Sequence, residues 1–196
     1  MNSGKKKTTL ILLIVGIVLI VAAIAVVVFS ELSAGKAESD CKALVAKLRE
    51  LMPENYAGQP DDRVNLSMPM VEVDGKNYVG IVQLPKYDRE LPVSAQWDAN
   101  AVTATPCRYT GSIYDGTLII GGSDNDGQFD FMKLITMGDE ISVTDMTGGK
   151  YRYTVTWVEN SKDVSTQVLS GGDDALVIFA RNTYSLDYTI VRCARR

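Results

Sequence analysis

The chain has 196 residues, 46% of them apolar, which suits one domain with a substantial core beside an N-terminal hydrophobic segment. Its formal charge is −4; Lys5, Lys6 and Lys7 are the charged residues before Ser30, so the remainder carries 17 bases against 24 acids, net −7. That acidic balance excludes nucleic acid as an expected partner, because phosphate binding needs clustered Lys and Arg.

Thr8–Phe29 contains no charged residue and is dominated by Leu, Ile, Val and Ala. As a helix it would reach about 33 Å, enough for a hydrocarbon core of about 30 Å. Lys5–Lys7 precede it and Glu31 follows. The positive-inside bias then predicts a cytoplasmic N-terminus (residues 1–7), a transmembrane helix (8–29) and an outward-facing remainder, a single-pass protein of the cell membrane. A cleaved signal peptide is the competing reading, with small residues at Ala34–Ala37, but signal h-regions run only about 7–15 residues.

Residues 30–67 read as a juxtamembrane helix and linker. Cys41, Leu44, Val45, Leu48, Leu51 and Met52 recur at three- and four-residue steps, predicting a helix over Ser33–Met52 that either extends from the anchor as a stalk or, the favoured reading, packs its apolar face on the domain. Pro53 closes it, and residues 53–67 hold two prolines and several turn formers.

Residues 68–196 change to short β-rich runs. Val71–Val73 and Tyr78–Leu84 flank Asp74-Gly75, a hairpin signal. Further predicted strands are Leu91–Val93, Leu118–Gly121, Glu140–Asp145, Tyr151–Val158, Ala175–Phe179 and Tyr188–Cys193, with single helical turns at Trp97–Val102 and Phe129–Leu134. About eight strands joined by short turns point to a mainly β, barrel-like sheet closed on itself.

Three cysteines follow the apolar segment: Cys41, Cys107 and Cys193. A Cys107–Cys193 bridge and three reduced thiols both remain open. The acidic run Ser123–Asp130 suggests calcium, but the EF-hand pattern puts Gly122 and Lys133 at its first and last ligand positions. A solvated loop, with no metal or cofactor, is the expectation. Asp61-Asp62 and Asp173-Asp174 read as surface turns.

YVGIVQLP (Tyr78–Pro85), LPVSAQW (Leu91–Trp97), TPCRYTGS (Thr105–Ser112), LIIGG (Leu118–Gly122), MGDEISVTD (Met137–Asp145) and TIVRC (Thr189–Cys193) together resemble a sortase domain, in order, over about 115 residues. The resemblance implies an eight-stranded sortase-like β-barrel with short helices. It also implies a cysteine nucleophile that cuts a sorting peptide, a histidine partner and an arginine that steadies the oxyanion or the peptide. This chain has no histidine. Matched residue by residue, Ser123 falls at the histidine position, Phe179 at the cysteine position and, counting back from Cys193, Tyr188 at the arginine position. A benzyl ring offers no nucleophilic atom, and removing a catalytic nucleophile costs on the order of 10⁶-fold.

Three functional readings follow. The first is a membrane-anchored, extracytoplasmic pseudo-sortase without catalytic residues. It would bind a sorting-motif peptide, a surface protein or an active sortase, with Phe179 and Tyr188 as aromatic contact surface. The second is a cysteine transpeptidase or hydrolase using noncanonical residues, Cys107 being the candidate thiol; Ser123 beside Asp124 lacks a base, and Arg181 alone binds a carboxylate without cleaving a bond. The third is a structural surface domain whose groove Phe179 fills.

Overall fold

A computed structural model describes residues 3–53 and 67–196; within the helix, residues 3–12 and 30–34 are described by backbone alone. The chain divides into two compact units, Met1–Ala37 and Glu38–Arg196. One helix, α1 (Ser3–Glu50), supplies all of the first unit that is described and enters the second. Two helices were expected, parted near Ser30. The segment Ser30–Ala34 contains neither proline nor glycine, so nothing in it breaks the hydrogen-bond ladder. Side chains of the predicted membrane span are described from Leu13 to Phe29, and over that stretch no helix is long and apolar enough to cross a membrane; Thr8–Leu12 lie outside the described side chains. Most of the predicted 53–67 linker likewise lies outside the described residues.

The second unit is built on nine strands: β1 (Val71–Val73), β2 (Lys76–Leu84), β3 (Arg89–Ser94), β4 (Cys107–Thr110), β5 (Leu118–Ser123), β6 (Glu140–Asp145), β7 (Lys150–Ser161), β8 (Leu176–Arg181) and β9 (Tyr188–Arg195). The β1–β2 turn puts Asp74 at φ 52° and Gly75 at φ 76°, the paired positive φ that a two-residue hairpin needs. The sheet order is β1-β2-β3-β4-β5-β8-β9-β7-β6, and β6 pairs back onto β2 through Gly80–Gln83. Eight strands therefore close the barrel, while β1 extends it beyond the end of β6.

The expected count of eight holds, with one exchange of membership. Val71–Val73 is outside the ring, and Cys107–Thr110, absent from the predicted strands, is inside it. β4 is only four residues long and bulged between Arg108 and Thr110, so it offers little alternation to read. The predicted helical turns become 3-10 turns at Ala101–Thr103 and Met132–Leu134. A further one-turn helix, α2 (Thr166–Leu169), lies in the β7–β8 connection.

Alternation sorts the side chains. Val82, Leu91, Val93, Leu118, Ile120, Ile178 and Val191 fill the barrel interior with Phe129 and Tyr153. On the outside, Val45 and Leu48 of α1 bury against Val73, Tyr78, Ile81 and Met146. The predicted helix face thus packs on the domain, except that Leu51 is exposed. Lys47–Asp74 (3.0 Å) and Arg49–Glu90 (2.9 Å) flank this contact.

A polar tie joins the β2–β3 turn to the start of β6. The Asp139 carboxylate accepts from Lys86 Nζ (2.8 Å), Tyr87 Oη (2.7 Å) and the Thr136 N–H (3.0 Å). Burial alone would raise its pKa, but these donors outweigh burial and hold it at about 2. A carboxylate depressed on folding gives stability present above its unfolded pKa of about 3.9 and lost as pH falls through the folded value. Denaturation midpoints of an Asp139→Asn variant are expected to lie below wild type near neutrality and to converge with it between about pH 4 and pH 2. A gap that persisted at the acidic end would refute this assignment.

Candidate functional site

β5, β8 and β9 lie side by side, β5 parallel to β8 and β8 antiparallel to β9. Their register forms two neighbouring rows on the outer face. One row is Gly121–Phe179–Ile190 and the next is Ser123–Arg181–Tyr188. The three residues singled out from the sequence therefore share a face, with Arg181 standing between Ser123 and Tyr188.

Phe179 is 1% exposed. Its ring meets Trp97 (centroids 5.6 Å), Tyr109 (5.5 Å) and Tyr188 (6.1 Å), and Trp97 meets Tyr109 edge-on at 5.1 Å. Trp97–Phe179 is tilted, while the edge-to-face pairs, Phe179 with Tyr109 and Tyr188 and Trp97 with Tyr109, contribute about 0.5–1.5 kcal/mol each beyond area burial. Gly121 makes the arrangement sterically feasible. A Cβ there would lie 2.4 Å from Trp97 Cζ3 and 2.5 Å from Phe179 Cζ. Both rings therefore lie over bare backbone. Gly121→Ala is expected to destabilise the barrel by about 1–3 kcal/mol through overpacking, read as a lower denaturation midpoint with altered Trp emission.

Trp97, Tyr109 and Gly121 were not identified as site residues from the sequence. A glycine inside a strand was the available signal, since it marks close approach by another group. Trp97 sits in the β3–β4 connection, which no strand periodicity places. It remains 38% exposed, and Tyr109 and Tyr188 are partly so, giving the cluster an aromatic rim over a buried centre.

Ser123 is buried and committed to its neighbours. Its N–H donates to Gln128 Oε1 (2.5 Å), and its Oγ lies 3.4 Å from both Gln128 Oε1 and Thr103 O. Gln128 Nε2 in turn donates to Val102 O (3.0 Å), tying the Ala101–Thr103 turn to β5. Asp124 accepts from the Thr183 N–H (2.8 Å) and hydroxyl (2.5 Å) and pairs with Lys133 at 3.3 Å. Burial opposes its ionisation, but these donors prevail and lower its pKa. The first acid of the acidic run thus anchors the β8–β9 loop. Among the described residues no three side chains suited to a metal converge.

No family model matches the sequence, and no curated protein matches it. Among solved structures, the Clostridium perfringens sortase D5 transpeptidase superposes with a TM-score of 0.57 at 14% identity, over 81% of this chain and 99% of that one. Sortase C1 of Streptococcus agalactiae gives 0.55 at 16% identity, covering 72% of this chain and 79% of its own. Sortase A of Listeria monocytogenes gives 0.52 at 18% identity, covering 61% and 87%. This chain has a sortase fold.

On this sortase barrel all three cysteines are free. The register runs Cys107–Gly121–Phe179–Ile190 across β4, β5, β8 and β9, while Cys193 lies further along β9 and faces the interior. At about 4.8 Å per strand, Cys107 and Cys193 are well beyond the roughly 7 Å disulfide limit. The bridge left open by the sequence does not form. Burial raises the pKa of all three thiols: Cys41 to about 11, Cys193 to about 12, and Cys107 in the same direction. Thiolate is the nucleophilic form, so none of them is primed near neutral pH.

Proposed function

We propose that this is a membrane-anchored, extracytoplasmic pseudo-sortase that acts by binding a peptide or protein at the cell surface. One observation carries the reading. At the strand position where resemblance expects a nucleophile, a buried benzyl ring is packed under Trp97, Tyr109 and Tyr188, in a chain without histidine. The raised thiol pKa values support the same reading, because they lower the fraction of nucleophilic thiolate. The partly exposed aromatic rim supplies contact area of low entropic cost for a sorting-motif peptide, a surface protein or an active sortase. Anchoring rests on the uncharged Thr8–Phe29 run behind Lys5–Lys7 and on the exposure of its apolar side chains from Leu13 onward.

The full chain, purified in detergent and mixed with sorting-motif peptides and an amine acceptor, is expected to release no acyl-transfer product, a deficit on the order of 10⁶-fold against an armed sortase. Turnover abolished by thiol alkylation would overturn the proposal. Cys107→Ala then separates the remaining options: activity lost with that thiol would install the noncanonical enzyme in its place.

The depth of Phe179 favours a second reading, a structural surface domain with its groove filled. Peptide or active sortase titrated onto the full chain, with Trp97 emission recorded in a Trp157→Phe background, separates the two. A saturable change supports binding, and a flat response supports the filled domain.

A further inference from the structure

Away from the aromatic face, α1 and β3 bound a cleft of about 370 Å³, within the size range of sites that enclose a ligand. Cys41, Val45 and Ala46 form its apolar lining. Its rim carries three bases and three acids and is paired except at Asp88: Lys42 with Glu38 (2.7 Å), Arg49 with Glu90 (2.9 Å) and Arg89 outward with Asp130 (3.0 Å). An occupant of strong single charge would have to break such pairs, so the cleft suits a neutral group with an apolar side chain.

The strand beneath it determines what that group is. The Ser94 N–H points away from β2 and donates to Pro106 O (2.8 Å), and Ser94↔Cys107 is the single register pair between β3 and β4. Backbone direction alternates along a strand, so Glu90 and Pro92 present their peptide groups to that same side. Pro92 has no N–H to offer. The Glu90 carbonyl is met there by the Cys41 thiol, Sγ to O 3.5 Å, a weak donor. Among the described residues a thiol is the donor this edge has at Glu90, and a peptide N–H is the stronger donor, with apolar side chains entering alternate pockets.

We propose that this cleft is a second binding site, taking a short extended segment of a partner polypeptide that adds to the β3 edge at Glu90 and places an apolar side chain against Cys41, Val45 and Ala46. It is independent of the pseudo-sortase reading, since it uses none of the aromatic face.

Disulfide trapping tests it on the full chain in detergent. The probe is a pool of synthetic seven-residue peptides with a central cysteine and varied flanks, equilibrated to constancy at mildly alkaline pH under mild reductant, so that the Cys41 thiolate can exchange, and read by mass spectrometry. Cys107 and Cys193 are buried and serve as internal controls. Expected is selective capture at Cys41 of peptides with a large apolar residue beside the cysteine. Re-made with serine for cysteine, these peptides should bind reversibly, and N-methylation of the amide facing Glu90 should weaken them about tenfold or more. Ala46→Trp, which fills the cleft, should abolish capture while leaving the denaturation midpoint near wild type. Capture that follows peptide abundance alone overturns the proposal. So does selective capture indifferent to N-methylation, which would assign the cleft to side-chain recognition without strand addition.

Discussion

Phe179→Ala should cost the barrel about 3–5 kcal/mol, among the largest losses for any single truncation on its outer face. The ring is 1% exposed and is enclosed by three aromatic side chains above and the bare backbone of Gly121 below. Its removal forfeits transfer energy and leaves a void that rigid strands cannot close. Urea denaturation measures the loss, and acrylamide quenching of Trp97 in a Trp157→Phe background reports the opened space. A loss below about 1 kcal/mol would show that the four rings are not one packed unit. Phe179→Cys is informative in another way. It introduces a thiol in a chain without histidine, so under the proposed reading no acyl transfer is expected although space for a peptide has been made.

This packed aromatic centre was partly legible in the sequence. The likeness of LIIGG, ALVIFA and TIVRC to sortase segments singled out Phe179 and Tyr188, and the register of β8 and β9 brings their rings together. Ser123 came less close. It shares the face, but its Oγ is turned to Gln128 and Thr103, and Arg181 separates it from Tyr188. The rest depended on contacts between residues far apart in the chain. Trp97 reaches Gly121 across 24 positions from an irregular connection, and nothing local encodes that approach. The same limit hid β4, whose four residues are defined by the strands on either side of them. In α1 the apolar spacing identified the packed face, while the continuity through Ser30–Ala34 followed from the absence of any breaker, which a search for boundaries overlooks.

Phe179 has a counterpart on the polar side of the same face. Arg192 lies on β9 in register with Val177 and Trp157, its side chain 14% exposed. Nε donates to Glu159 Oε1 (3.1 Å), Nη1 to Asp174 Oδ2 (3.0 Å) and Leu169 O (3.3 Å), and Nη2 to Val168 O (2.7 Å). Burial disfavours the charged guanidinium, but the two carboxylates more than offset it and raise its pKa. α2 is one turn long and cannot hold itself together; its last carbonyls have no helical partner, and Arg192 supplies their donors. In return Leu169 buries with Ile119, Val177, Phe179 and Ile190. Arg192→Leu should therefore destabilise the domain by about 2–4 kcal/mol, because two carbonyls and the half-buried Asp174 lose their donors together. Arg192→Lys should recover only part of this, since an ammonium cannot span both acids and both carbonyls. Hydrogen exchange at Thr166–Leu169 should rise in both variants, most in Leu. Because α2 rests on the Phe179 cluster, Arg192→Leu and Phe179→Ala should combine to less than the sum of their separate costs, by about 0.5–3 kcal/mol. Strict additivity would mean that the clamp and the aromatic cluster are held independently, and that the β7–β8 connection owes nothing to the Phe179 ring.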